Sequence, residues 1–323
     1  MIRKRVFSTF IKSNNHPSKP QIEEIKQRLS NSKWVIKDDI VSTFPAKQLY
    51  ITTQSLLDKG CPPFMESLLV NSTGKNINEV FKLGDKVPIG YSLAFCNPLS
   101  NEYELSTDGY DNYHAPVLDC NEYFQRRMWV SGSFLFNNNN PLKFGEPINF
   151  TETVDKVKIL TRNEMILADY KRSFDNDKGN SIIEHRLLCY LNNVFKKLPE
   201  EPIIDETVPD ESTSCKPSIV SSFRMSAITF NSHQIHYNPE YAKNIENYPK
   251  IVIEAPLLIS LALQFWRNHN PTTPITSFKY KITSPTFVND TIKINFKKMS
   301  SGKFRVWILK EDSSVCFEST IKI

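Results

Sequence analysis

The sequence predicts an α+β protein in which a long helix lies in a curved antiparallel sheet, and three observations support this class. Residues 256–269 (P-L-L-I-S-L-A-L-Q-F-W-R-N-H) show the apolar stripe of a helix that lies on a sheet. Four segments in which polar and apolar residues alternate follow it, as antiparallel strands do. The first half of the chain contains a similar run of strand-like segments. Runs of strands beside a helix, without strict alternation of the two, are typical of α+β proteins.

The first residues of the chain are basic and contain no acid. M-I-R-K-R-V-F-S-T-F-I-K-S carries four Lys or Arg residues and three hydroxyl side chains, and the first acid is Glu23. This composition is typical of a mitochondrial targeting segment, and it lacks the apolar core of a secretory signal. We therefore expect residues 1–20 to direct the protein to the mitochondrial matrix, with a disordered basic tail as the alternative. Removal of residues 1–7 would delete three positive charges and reduce the formal charge from +5 to +2. A formal charge this close to zero does not indicate general nucleic-acid binding.

Helices and a loop are predicted before the first run of strands. Residues 21–70 are predicted to be helical, with Ile22, Ile25 and Leu29 on one face. Within the polar stretch 97–122, residues 108–116 (D-G-Y-D-N-Y-H-A-P) are predicted to be an ordered loop and not a helix. Strand signals then predict an antiparallel meander. Its segments are residues 129–136, 147–160, 164–173 and 181–191.

An acidic, proline-rich stretch at residues 201–218 is predicted to be an inter-domain linker. After it, the apolar, β-favouring run 223–230 predicts a buried strand. Asn238-Pro239-Glu240 predicts a helix start, because an Asn cap, a Pro at the first position and an acid in the first turn all favour a helix N-terminus. The long helix and its four strands then follow. The strands are predicted at residues 277–282, 291–297, 303–310 and 315–323.

Several classes of protein are not supported by the sequence. The chain has nine glycines, and neither a G-x-G-x-x-G nor a Walker sequence occurs in it. The longest uncharged apolar run near a helix is well short of the ~20 residues that a membrane span needs. The six cysteines are scattered without a C-x-x-C pair, so we expect free thiols and not a zinc ribbon or a disulfide scaffold.

His233 and His236 lie in the turn that precedes the predicted helix start, and they are the first candidates for chemistry. Imidazole is the side chain best suited to accept or donate a proton near neutral pH. Backbone N–H groups also converge at a helix N-terminus and favour anions there. Two alternatives remain open: the histidines could only form hydrogen bonds that cap the helix, or they could bind zinc, which would require at least a third ligand.

The residues around these histidines are similar to one family. The segment F-R-M-S-A-I-T-F-N-S-H-Q-I-H-Y-N, with Tyr241-Ala242 after it, resembles the MaoC-like hydratases and dehydratases, and among them the yeast-type mitochondrial 3-hydroxyacyl-thioester dehydratases. Two further signatures lie upstream, R-R-M-W-V-S-G at residues 126–132 and L-S-T-D-G at residues 105–109. The resemblance implies a double hotdog fold, with two hotdog domains in one chain. Residues 21–200 would be a degenerate copy that forms the acyl pocket, and residues 219–323 would be the catalytic copy.

The activity that this resemblance implies is (3R)-3-hydroxyacyl-thioester dehydration in mitochondrial type II fatty acid synthesis. The substrate would be carried by the phosphopantetheine arm of acyl carrier protein, without cofactor or metal, and the protein would be a monomeric pseudo-dimer or a homodimer. A hotdog thioesterase, an R-specific enoyl-CoA hydratase and a non-catalytic acyl-binding or assembly partner remain as alternatives.

The resemblance also suggests roles for individual residues. Asn231, His233 and His236 fall on the Asp, Asn and His of the D-x-N-P-x-H pattern of R-specific hydratases. We expect His236 to be the main base and Asn231 to hold the leaving water, with His233 as a further candidate. Because Asn cannot accept a proton at neutral pH, the proton must move through His236, through His233 or through a carboxylate from elsewhere. Glu254, which stands where the subgroup commonly has His, is the candidate, and a structural capping role is its alternative.

Substrate contacts are expected from a second set of residues. Arg126 and Arg127 would contact a phosphate, or would be a solvated pair on the sheet. Three further residues are predicted to contact the substrate: Trp129, Tyr237 and Ala255. The last of these stands where the subgroup commonly has Gly.

Overall fold

The structure is a computed structural model, and it describes residues 11–13, 16–57, 77–160, 165–192 and 202–323. The α-helices in these ranges are α1 (Lys19–Asn31), α2 (Thr43–Leu57), α3 (Ile219–Thr229) and α4 (Ala255–His269). The strands are β1 (Ile11–Lys12), β2 (Lys33–Asp38), β3 (Val117–Leu118), β4 (Asn121–Glu122), β5 (Arg126–Phe136), β6 (Ile148–Leu160), β7 (Met165–Asn176), β8 (Gly179–Leu191), β9 (Glu211–Cys215), β10 (Ser277–Ile282), β11 (Ile292–Ser300), β12 (Lys303–Lys310) and β13 (Val315–Lys322).

One ten-stranded sheet contains two halves with the same topology. Its order is β2-β6-β7-β8-β5-β10-β13-β12-β11-β9, and its neighbouring strands are antiparallel. One half contains β2, β5, β6, β7 and β8, and the other contains β9 to β13. In chain order, the first strand of each half pairs with the third (β2 with β6, β9 with β11), and the second pairs with the fifth (β5 with β8, β10 with β13). The halves meet where β5 pairs with β10, so the repeated unit appears twice in opposite directions along the sheet. The predicted α+β class is thus confirmed, and the predicted strands after α4 are all present.

Each half places a long helix between its first and second strands. These helices are α2 and α4, and they contact each other. The five residues of the predicted apolar stripe on α4 are all at most 4% exposed: Leu257, Leu258, Leu261, Ala262 and Phe265. The remaining residues between Pro256 and Trp266 are buried as well, because α4 packs on β11 and β12 on one side and on α2 and α3 on the other. The helix is therefore the centre of the core.

Gly132 lies on β5, where the two halves meet. It pairs with Tyr280 of β10 on one side and with Arg186 of β8 on the other. A Cβ atom at this position would lie 2.3 Å from the carbonyl oxygen of His185 and 2.3 Å from the Tyr280 hydroxyl. The glycine of the R-R-M-W-V-S-G signature is therefore required by packing at the junction.

Replacement of Gly132 by Ala is expected to destabilise the protein by about 1–3 kcal/mol, because the added methyl group must displace backbone or the Tyr280 ring. Chemical denaturation measures this difference in the free energy of unfolding. Ser133→Ala, one residue further along the same strand, is the control and should change stability by less than about 0.5 kcal/mol. Equal effects of the two substitutions would contradict the packing argument.

The predicted strand at residues 223–230 is wrong, because this segment belongs to helix α3. Its buried positions recur with helical spacing, at Ser222, Met225, Ser226 and Thr229, whereas Phe223 and Phe230 are 62% and 59% exposed. The helix begins with a Ser218 cap and ends at Phe230, whose φ of 54° is left-handed. The sequence was misleading because small polar side chains form the buried stripe and large apolar ones face outward.

Two edge strands were also not predicted. Strand β2 lies within the region predicted to be helical, and β9 lies within the predicted linker. Each is the outermost strand of its half of the sheet, so each is paired along one side only. None of the residues of β2 is buried, and the two buried residues of β9 are Thr213 and Cys215, so neither strand shows the alternation of large apolar residues that identifies an inner strand. Residues 58–70 of the predicted helical region lie outside the described residues.

Two smaller predictions can also be compared with the structure. Five cysteines lie within the described ranges, and all are free thiols, as expected. Across these ranges, the helices are too short or too polar to cross a membrane. Within the expected targeting segment, residues 1–10 lie outside the described part of the chain, and Ile11–Lys12 forms strand β1 beside β4.

Candidate active site

A cavity of about 350 Å³ lies between the two halves of the protein. Seven of the nine predicted site residues line it: Arg127, Trp129, Asn231, His233, His236, Glu254 and Ala255. The residues come from β5, from the turn after α3 and from the start of α4, and the fold brings these distant segments together. Arg126 and Tyr237 do not line this cavity.

The turn after α3 fixes the orientation of Asn231. The left-handed residue Phe230 ends the helix, and the Asn231 side-chain oxygen then accepts the backbone N–H of His233 at 3.0 Å. The amino group of the same amide is left to donate to the carboxylate of Glu254. An aspartate at position 231 would place two carboxylates against each other, which raises the pKa of one of them. A neutral amide at position 231 avoids this repulsion and donates a hydrogen bond to Glu254.

His236 is held in one tautomer. Its Nδ1–H donates to the carbonyl oxygen of Val252 at 2.8 Å, so Nε2 carries the lone pair of the neutral ring. Burial, with a smaller contribution from the neighbouring His233, lowers the pKa of His236 to about 3. The Ser222 hydroxyl donates to the backbone oxygen of His236 at 3.0 Å and fixes the turn. The ring is thus neutral over the physiological pH range and can accept a proton through Nε2.

Glu254 is a buried carboxyl group that borders the cavity. It is 1% exposed, and it accepts hydrogen bonds from Ser226 and from Thr229, the latter at 3.3 Å. Burial raises the pKa of Glu254 to about 7, even though the hydrogen bonds from Ser226, Thr229 and Asn231 lower it. Its side chain makes no capping hydrogen bond to α4, so the capping alternative is not supported. A carboxyl group with this pKa can donate or accept a proton near neutral pH.

Asp108, to which the sequence analysis gave no role, positions His233. Its Oδ2 lies 3.2 Å from His233 Nε2 and 3.5 Å from the nearest nitrogen of Arg127. Burial acts to raise the pKa of Asp108, but the charges of Arg127 and His233 outweigh it and hold that pKa well below its usual range. Because Nε2 of His233 is occupied by Asp108, His233 is better placed to position the turn than to move a proton.

The glycine beside Asp108 lets the upstream loop approach this turn. Gly109 has a φ of +85°, and a Cβ atom there would lie 2.4 Å from the carbonyl oxygen of Ser232. The backbone N–H of Gln234 donates to the Asp108 carbonyl at 2.9 Å. The L-S-T-D-G signature thus joins the N-terminal half to the histidine turn. Membership in this signature was the feature of the sequence from which a role for Asp108 could have been predicted.

The two arginines are engaged within the protein. Arg126 forms an ion pair with Glu246 and donates to the Asn192 carbonyl at 2.6 Å. Arg127 pairs with Asp108, and its guanidinium lies 4.4 Å from the centre of the Tyr110 ring. These contacts support structural roles for both, and the expected phosphate contact remains a prediction without support from the geometry.

The remaining predicted contacts differ in position. Trp129 donates its indole N–H to the Tyr280 hydroxyl at 2.7 Å, which leaves its ring in the cavity wall. Tyr237 is 42% exposed. Ala255 is the first residue of α4, Pro256 after it has no N–H group, and the Leu257 N–H donates to the Glu254 carbonyl at 3.0 Å. Of these first three positions, Ala255 therefore has the N–H group without a partner within the helix. The positive end of the α4 dipole therefore faces the cavity and favours a developing negative charge.

The chain was compared with protein families and with individual proteins. Residues 90–288 match the family model described as hydroxyacyl-thioester dehydratase type 2. A mitochondrial hydroxyacyl-thioester dehydratase type 2 from Schizosaccharomyces pombe is 28% identical over 230 residues, which cover 64% of this chain and 76% of that protein.

Solved structures are similar to the chain in fold. A MaoC-like dehydratase from Phytophthora capsici aligns with a TM-score of 0.59 and 13% identity, over 92% of this chain and 97% of that one. A Mycobacterium tuberculosis protein described as having a double hotdog fold aligns with a TM-score of 0.51 and 10% identity, over 90% and 96% of the two chains. With the repeated topology described above, these similarities confirm the double hotdog fold.

Proposed function

The chain belongs to the family of hydroxyacyl-thioester dehydratases type 2, and on this premise we propose that it is a hydro-lyase that removes water from a (3R)-3-hydroxyacyl thioester to give the trans-2-enoyl thioester. One observation carries the proposal. A neutral imidazole and a carboxyl group with a pKa of about 7 line the same cavity, at His236 and Glu254. Elimination of water requires one group that accepts a proton and one that donates a proton, and this pair supplies both.

In the dehydration direction, Nε2 of His236 takes the proton from C2 and the protonated Glu254 gives its proton to the departing 3-hydroxyl group. The C–O bond breaks as the C2–C3 double bond forms, and water leaves. Negative charge develops on the thioester oxygen as the C2 proton is removed. The N-terminal end of α4 at Ala255 stabilises this charge. Asn231, held by the His233 N–H, keeps Glu254 in place and can hold the leaving water.

The two directions of the reaction require the same number of protons. Dehydration begins with a proton on Glu254 and none on Nε2 of His236, and hydration begins with the reverse arrangement. Both arrangements belong to the singly protonated pair, which predominates between the two pKa values of about 3 and about 7. The pH dependence should therefore be alike in both directions.

The carrier and the compartment extend the same proposal. The fungal relative is a mitochondrial enzyme, which supports a mitochondrial location for this chain. We further propose that the protein acts in the matrix on acyl groups carried by acyl carrier protein in type II fatty acid synthesis. The expected targeting segment at residues 1–20 supports the same mitochondrial location.

Turnover of defined thioesters tests the proposed reaction. Purified protein is mixed with (3R)-3-hydroxybutyryl-CoA, and the enoyl thioester and any free thiol are measured in the same sample. We expect the enoyl thioester to form without release of thiol, and the protein to hydrate trans-2-butenoyl-CoA in the reverse direction. Thiol release would instead indicate a thioesterase. Absence of both products, also when acyl carrier protein replaces CoA, would indicate a non-catalytic acyl-binding protein.

A further inference from the structure

A third histidine, His114, lines the same cavity from the N-terminal half of the protein. It lies in the polar loop between α2 and β5 and is 4% exposed. Its Nδ1 is 2.9 Å from Oε1 of Glu152, whereas its Nε2 is buried and has no hydrogen-bond partner among the described residues. A buried polar atom without a partner is costly, so the unpaired nitrogen of a side chain that lines a cavity points to a ligand.

The ring of His114 is fixed from several sides. Glu152, which is 1% exposed, also accepts the Tyr113 hydroxyl at 3.0 Å and pairs with Nε of Arg172 at 3.0 Å. The Tyr170 hydroxyl donates to the backbone oxygen of His114 at 2.9 Å. A side chain held in this way is pre-organised, and it can bind a substrate group without a large loss of conformational entropy.

His114 and His233 both lie near the ring of Tyr110. The Tyr110 ring lies 5.5 Å from the ring of His233 and 6.4 Å from the ring of His114, measured between ring centres. The two imidazoles thus flank one tyrosine. His114, His236 and Glu254 line the same cavity, so a thioester bound there can contact all three side chains.

The charges around His114 favour an uncharged ligand group. Arg172 is paired with Glu152 and Glu184, Arg186 is paired with Glu184, and Arg127 is paired with Asp108. Each of these guanidinium groups is already paired with a carboxylate, so an anionic ligand group would find little net positive charge near His114. A hydroxyl or an amide can donate to or accept from Nε2, so such a group fits either protonation state of the ring.

We propose that His114, positioned by Glu152, is a further substrate-binding residue that forms a hydrogen bond through Nε2 with a neutral hydroxyl or amide group of the thioester substrate. This inference rests on the proposed function. Two sources of such a group exist, the oxygen-bearing acyl chain and the amides of the pantetheine arm.

Two substitutions at position 114 separate the two ring nitrogens. In His114→Asn, the side-chain amide can reach the Nδ1 position and keep the bond to Glu152, but nothing occupies the Nε2 position. In His114→Gln, the amide reaches the Nε2 position. We expect KM to rise about three- to tenfold in His114→Asn, as for the loss of one hydrogen bond, with little change in kcat. The rise should be smaller in His114→Gln.

The assay uses (3R)-3-hydroxybutyryl-pantetheine and the same acyl group on propanethiol, which has no amide. A rise in KM on both thioesters identifies the 3-hydroxyl group of the acyl chain as the partner of His114, and a rise on the pantetheine thioester alone identifies an arm amide. Tyr170→Phe is the control, because it removes the hydrogen bond to the His114 backbone and leaves the imidazole in place. Unchanged KM in His114→Asn on both thioesters, or an equal rise in Tyr170→Phe, would overturn the inference. Failure of the unsubstituted protein to convert either thioester would instead count against the proposed function.

Discussion

Replacement of Glu254 by Gln is expected to lower kcat/KM for dehydration by a factor of about 10²–10⁴, the range for loss of a general acid. Gln has nearly the same shape and can still accept hydrogen bonds from Ser226 and Thr229, so the fold should be preserved. It cannot release a proton to the departing hydroxyl. Steady-state rates with (3R)-3-hydroxybutyryl-CoA measure the loss, and binding of trans-2-butenoyl-CoA shows whether the cavity is intact.

Ser226→Ala is a matched control for the Glu254 substitution. It keeps the carboxyl group and removes a hydrogen bond that lowers the pKa of Glu254. We expect most of the activity to remain and the loss of activity at high pH to begin at a higher pH than in the unsubstituted protein. Near-normal rates in Glu254→Gln, with intact binding, would show that the carboxyl group does not transfer the proton.

Replacement of His236 by Asn is expected to have an effect of similar size, about 10²–10⁴ in kcat/KM. The amide of Asn can still donate to the Val252 carbonyl, as Nδ1 of the imidazole does, but no atom takes the place of Nε2. The base that removes the C2 proton is therefore lost while the turn keeps its main hydrogen bond. Exchange of the C2 proton with solvent deuterium, followed by NMR on the thioester, reports on this step directly.

Two outcomes for His236→Asn would separate a catalytic from a structural role. If the variant is folded by circular dichroism and still exchanges the C2 proton at the normal rate, His236 is not the base. If the double variant with Glu254→Gln is no slower than either single variant, the two groups act as one unit, as the mechanism requires. If the loss of activity in the double variant equals the product of the two single losses, His236 and Glu254 act independently.

The parts of the fold that could be predicted are those whose burial is visible in the residue pattern. Helix α4 carries a strong apolar stripe, and the inner strands alternate or are continuously apolar. Helix α3 could not be identified in this way, because Ser222, Ser226 and Thr229 occupy its buried face. These small side chains are buried because they form hydrogen bonds with His236 and Glu254. The buried face of α3 is therefore polar, and it lacks the apolar stripe by which a helix that packs on a core is recognised.

The candidate site was predictable where its residues are close in sequence. The turn that holds Asn231 and His236 carries its own signature, and Glu254 stood out as an acid in an apolar run. Asp108 and His114 belong to a loop more than 100 residues upstream, and only the packing of the two halves brings Asp108 to His233 and His114 to the cavity. Arg126 also belongs to a signature, but its guanidinium pairs with Glu246 outside the cavity, so membership in a signature does not by itself place a residue at the cavity.

The pH dependence of kcat/KM, measured for dehydration and for hydration over a range from about pH 5.5 to pH 9, tests the central claim most directly. Glu254 must be protonated for dehydration, and its pKa is raised to about 7, so activity should be high below that pH and fall as the pH rises through it. Hydration should show the same fall, since it requires the same singly protonated pair. Activity that increases through pH 7, or that falls in only one direction, would contradict a proton shared between His236 and Glu254.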